Sequence, residues 1–167
     1  MKWINFVVTV LVVTLINAGS VMELITISSL DIRPDLLVAA LAFFAYISDR
    51  RDAIIASFMI GFMADISGST MGPAMIAYGI VGVSFSAMRD VLLMDRVRNR
   101  IFAIFLISVC IMAIIDTLNA FKIGQHIAKP YLAIPLSSVY TALIGAFLWQ
   151  IFDFSAVLLG VKKKNIR

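Results

Sequence analysis

Four ionisable residues lie in or at the edge of long apolar runs: Arg33, Asp35, Asp65 and Asp116. A charge held in hydrocarbon is costly, so residues of this kind are candidates for function. An ion pair of Arg33 with Asp65 or Asp116 would tie three helices together at one face. Each carboxylate could instead accept hydrogen bonds from a helix terminus or a loop backbone. A proton relay would also use such acids, but one expects more than two of them to be deep. Asp35 follows Pro34 and is placed in the first turn of a helix, where the helix dipole favours negative charge. Pro34 suits that first turn too, because its missing N–H costs nothing there.

Other reactive residue types are sparse. His126 is the one histidine and falls in a polar stretch without Cys, His or acidic neighbours, a poor metal ligand set. Cys110 is the one cysteine; it sits in an apolar run with no basic neighbour to activate a thiolate and reads as a small core residue. The chain has no phosphate-binding glycine loop and no H-E-x-x-H zinc motif. A serine nucleophile would need a base, and His126 is at a membrane edge. No catalytic, cofactor-binding or metal site is expected, and the protein reads as a non-enzyme.

The elements that carry these residues are apolar helices. Of the 167 residues 62% are hydrophobic and 14% charged, against about 25% charged in soluble domains. Mean hydropathy is +1.01. The fold class read from this is an all-α membrane protein, with six transmembrane helices in one bundle and one integral membrane domain over 1–167. The spans are placed at about 3–19, 35–48, 53–67, 74–94, 101–121 and 131–153. The first run resembles a secretory signal peptide, but the number of later runs favours an uncleaved span. Asp49 to Asp52 reads as a tight charged turn. Residues 68–73 read as a bent loop, although Gly68 and Gly72 are also spaced like a helix-dimerisation motif. Ser138, Ala142 and Ala146, and Gly82 with Ser86, mark packing seams.

Charge placement orients the spans. With the N-terminus inside, the inner side receives Lys2, Arg50, Arg51, Arg89, Arg96, Arg98, Arg100, Lys162, Lys163, Lys164 and Arg167. The outer side receives Arg33, Lys122 and Lys129. Eleven positive charges against three is a strong positive-inside bias, with both ends in the cytoplasm. The net charge of +4 is thus explained by topology and contact with anionic lipid, and no nucleic-acid platform is present. At 1.5 Å per residue Asp65 lies about 18 Å and Asp116 about 22 Å from the inner face, in the outer half of the bilayer.

Residues 33 to about 93 resemble the rod shape-determining protein MreD family. The resembling features are Pro34-Asp35, the charged turn at 49–52, Gly61-Phe62, and the run from Asp65 to Gly72 that includes Gly68. Asp116 sits where such proteins often carry an acid in span five. The resemblance implies a bacterial inner-membrane scaffold of cell elongation that associates with MreC. It would help link MreB filaments to RodA and a class B penicillin-binding protein. It also implies a fold similar to the S components of energy-coupling factor transporters. The alternative it supplies is a small-molecule, vitamin-type uptake subunit. Against that, Val8 to Leu15 lacks the A-x-x-x-A docking pattern, and the outer loops are poor in ligand-binding groups. Under the resemblance, Asp65, Gly68 and Gly72 shape the outer end of spans three and four.

Overall fold

Each apolar run of the sequence becomes one helix. The computed structural model describes residues 3–19, 34–68, 72–88, 97–123 and 133–158. Among the described residues the elements are α1 (Trp3–Ala18), α2 (Leu36–Ile47), α3 (Arg50–Ser67), α4 (Pro73–Met88), α5 (Val97–Ile123) and α6 (Ala133–Leu158), with no strand.

Helix starts fall where local chemistry puts them, which corrects three expectations. Arg50, Arg51 and Asp52 are the first turn of α3 and not a separate turn. The Ala53 N–H already donates to the Asp49 carbonyl at 2.8 Å, and acidic Asp52 suits a helix start. Arg98 and Arg100 likewise belong to the first turn of α5, which begins before the expected 101. Asp35 is the N-cap of α2, so Pro34 precedes the cap and lies outside the first turn. First-turn prolines are instead Pro73, at the start of α4, and Pro135, third in α6.

The core is built around α2. Its sequence LLVAALAFFAYI is apolar on every side, and Leu36 to Ala45 are all buried. A helix apolar all round belongs inside. It touches each of the other five helices. Around it α1 packs on α3, α3 on α4, α4 on α5 and α5 on α6; among the described residues α1 and α6 do not meet. Glycines let α3 and α4 approach closely. A Cβ on Gly61 would lie 2.8 Å from the Met75 Cα and 2.9 Å from the Tyr78 Cβ, and one on Gly82 would strike Ser57.

The five outer helices present apolar side chains outward. Leu15, Phe62, Ile80, Phe102 and Phe147 are each more than half exposed. A bundle with an apolar interior and an apolar exterior on every outer helix needs an apolar solvent. By length and composition two helices can cross a membrane, Val97–Lys122 and Ile134–Phe152. Phe6–Ala18, Leu36–Ile47 and Pro73–Met88 are shorter apolar helices.

The two ends of α2 are secured differently. At its C-terminal end aromatic rings interlock. Phe6 of α1 stacks edge-on against Phe44 at 4.8 Å, and Phe43 meets Trp149 and Phe152 of α6, each at 5.2 Å. Arg100 lies over the Trp149 ring, 5.2 Å from its centroid, a favourable cation–π geometry. At the N-terminal end of α2 the joints are polar.

Candidate functional site: a polar junction at one end of the bundle

Helix starts in an apolar environment have a specific problem. Their first backbone N–H groups have no intrahelical acceptor and no water to replace one. An N-cap side chain normally serves the second and third of these. At α4 the cap position is Gly72, which has no side chain and adopts φ +112°. Pro73 follows with no N–H to satisfy. The next two donors, Ala74 and Met75, bond to a carboxylate from the preceding helix. Asp65 Oδ1 accepts the Ala74 N–H and Oδ2 the Met75 N–H, both at 2.9 Å.

Asp65 is the one charged residue among the buried described residues, 5% exposed. Both oxygens are in use and its charge faces the positive end of the α4 dipole. The short link therefore follows a logic: Asp65 caps from behind, Gly68 ends α3, Gly72 makes the left-handed turn, and Pro73 starts α4. Gly68 has an ordinary φ of −93°, and its N–H donates to the Asp65 carbonyl at 3.2 Å. Of the two glycines, Gly72 is the one whose backbone angle a larger residue would strain.

Asp35 performs the equivalent service for α2 and adds links to other helices. Its Oδ1 accepts the Leu37 N–H at 3.0 Å, and its Oδ2 accepts the Tyr78 hydroxyl at 2.5 Å. Its own N–H donates to Thr141 Oγ1 of α6 at 3.0 Å. The Leu36 N–H donates to Asn17 Oδ1 of α1 at 3.3 Å. Helices α1, α4 and α6 thus converge on the start of α2. Tyr78 is fully buried, with its Cβ in the close approach to Gly61. It connects the two carboxylate sites, because Ala74, which Asp65 caps, is one turn before it on α4.

The other candidate residues fall as follows. Pro34 is buried immediately before the junction. Phe62 is half exposed on the outer side of α3. It helps line an open groove of about 350 Å³ with Ile55, Phe58, Met59, Met63 and Met75, all apolar. Asp116 is half buried on α5, apart from the junction, and makes no hydrogen bond or ion pair among the described residues. Arg33 and His126 lie outside the described residues, and so does any pairing of Arg33 with Asp65 or Asp116. Cys110 is half buried against the core. Among the described residues no three His, Cys, Asp or Glu side chains gather as metal ligands would.

Sequence reasoning missed Tyr78, Thr141 and Asn17. Each is an isolated polar group in an apolar helix, and that was the available signal. Their partners are 43, 106 and 19 residues away, so spacing along one helix could not pair them.

An apolar-faced helical bundle whose acids serve backbone donors has the chemistry of a membrane protein. The family model for rod shape-determining protein MreD matches residues 1–159, and the chain belongs to this family. Its role is therefore in bacterial rod-shape determination. Comparisons with curated proteins and with solved structures gave no match.

Proposed function

We propose that the protein is a non-enzymatic scaffold of the cell-elongation machinery in the bacterial inner membrane. In this reading it binds MreC, and through it couples MreB filaments to wall synthesis by RodA and a class B penicillin-binding protein. The six helices each cross the bilayer, both termini are cytoplasmic, and the bundle is arranged like an S component of an energy-coupling factor transporter. The observation that carries the reading is the use made of the acids. Asp65 and Asp35 spend their oxygens on helix starts and on Tyr78. Such groups hold a shape and are not positioned to turn over a substrate.

The groove on α3 speaks against uptake, since its lining offers no polar group to select a vitamin. The test is replacement of the chromosomal copy by Asp65→Ala. The expected outcome is loss of rod shape together with reduced recovery of MreC on the purified protein. Rod-shaped growth with unchanged MreC recovery would overturn the scaffold role of this junction. Labelling of single cysteines placed at residues 2 and 165 from the cytoplasmic side alone tests the topology.

A further inference from the structure

Toward its C-terminal end α5 carries two acceptors without donors among the described residues; Ser108 Oγ, about two turns earlier, is likewise buried without a partner. Asp116 makes no hydrogen bond or ion pair among the described residues, and Asn119 Oδ1 is buried without a partner. Asn119 is 8% exposed and Asp116 is half buried. They are three residues apart on one helix, so their side chains are neighbours. Asp116 stands seven residues before the end of α5, roughly 10 Å along the axis and so within the hydrocarbon layer. A carboxylate left bare in lipid is costly, and so is a buried amide oxygen without a donor.

The surface beside them changes character. Near the start of α5 the outward residues are bulky, Phe102 and Leu106. Around Asp116 they are Ala113 and Thr117, both exposed, and half-buried Ala120, before bulk returns at Phe121, 84% exposed one turn beyond Thr117. Thr117 turns its hydroxyl back onto the Ala113 carbonyl at 2.7 Å, leaving its methyl outward. Small residues at this spacing permit another helix to come close.

We infer that this patch of α5 is the docking site for a transmembrane helix of another protein that carries a Lys or Arg at the depth of Asp116. Charge complementarity selects that occupant. A second copy meeting the patch about a twofold axis normal to the membrane would bring Asp116 against Asp116, which is repulsive. Lys122 on the same helix is six residues on, about 9 Å further and some 120° around the axis, so it points away from Asp116. The inference goes beyond shape determination by naming the chemistry of the partner, and its test involves no cell shape, so the two can fail separately.

The test uses the full chain in phosphatidylcholine vesicles with a labelled leucine–alanine transmembrane peptide bearing one Lys a third of the way along, or Leu at that position. Energy transfer reads association. The Lys peptide is expected to bind about five- to thirtyfold more tightly than the Leu peptide, and Asp116→Asn removes the preference. Thr117→Leu, which adds bulk beside an unaltered carboxylate, weakens Lys-peptide binding and decides the matter if Asp116→Asn does not fold. Equal binding of the two peptides, a preference that survives Asp116→Asn, or Lys-peptide binding unchanged by Thr117→Leu would each overturn the site.

Discussion

The Tyr78 hydroxyl donates to Asp35 Oδ2 at 2.5 Å and so fastens the middle of one outer helix to the cap of the central one. Tyr78→Phe removes the donor and leaves a buried carboxylate oxygen unsatisfied. The expected loss is about 1–3 kcal/mol, read as a lower midpoint of thermal unfolding in detergent. Asp35→Asn combined with Tyr78→Phe should cost less than the sum of the two single changes, because both remove one interaction. Additive losses would show that the pair is not coupled.

Asp65 predicts a graded pair of variants. Asp65→Ala strips the acceptors from both Ala74 and Met75 and is expected to cost about 2 kcal/mol or more. Asp65→Asn keeps one amide oxygen and should fall between wild type and Ala. Hydrogen exchange at the Ala74 and Met75 amides provides the local measurement, with exchange fastest in the Ala variant.

The glycines should separate by mechanism. Gly61→Ala forces a Cβ to within 2.8 Å of the Met75 backbone, which cannot swing aside as a side chain could. Displacing α4 is expected to cost about 1–3 kcal/mol. Gly72→Ala meets nothing within 4 Å but must hold φ +112°, a strain of about 1–2 kcal/mol. Gly68→Ala has neither a positive φ nor a backbone contact below 3.2 Å, and its midpoint should stay closest to wild type.

The opposite end of the bundle supplies a control. Trp149→Ala removes a ring packed against Phe43 and Tyr46 and covered by Arg100, and should cost about 3–5 kcal/mol. Phe62→Leu alters a half-exposed groove residue and should leave the unfolding midpoint nearly unchanged. A large loss from Phe62→Leu would mean that the groove contributes to folding.

Much of this was legible in the chain because each apolar run of hydrophobic residues has to become a helix once water is excluded. The α2 run was legible as a span, but its central, fully buried place was not, since the other runs are apolar too. Asp65 was recognisable as important because acids are rare at such depth, yet its role depended on where Ala74 and Met75 point, which follows from the link at 68–73. Charged residues misled the boundaries. Arg50, Arg51, Arg98 and Arg100 read as loop, but a helix end accepts arginine as long as its long stem can carry the charge away from the core. The aromatic assembly of Phe6, Phe43, Phe44, Trp149 and Phe152 could not be foreseen, since three separate runs contribute to it and none signals which face meets the others.

The burial of α2 has a consequence for how the protein is made. Twelve residues rise about 18 Å, so α2 crosses a hydrocarbon layer of about 30 Å only together with its flanking residues or where the layer thins. A lone segment of this length would have to thin the bilayer around itself. Inside the finished bundle it touches helices and no lipid, so membrane thickness does not constrain it. Its burial therefore depends on helices that follow it in the chain, so the placement of α2 is tied to theirs.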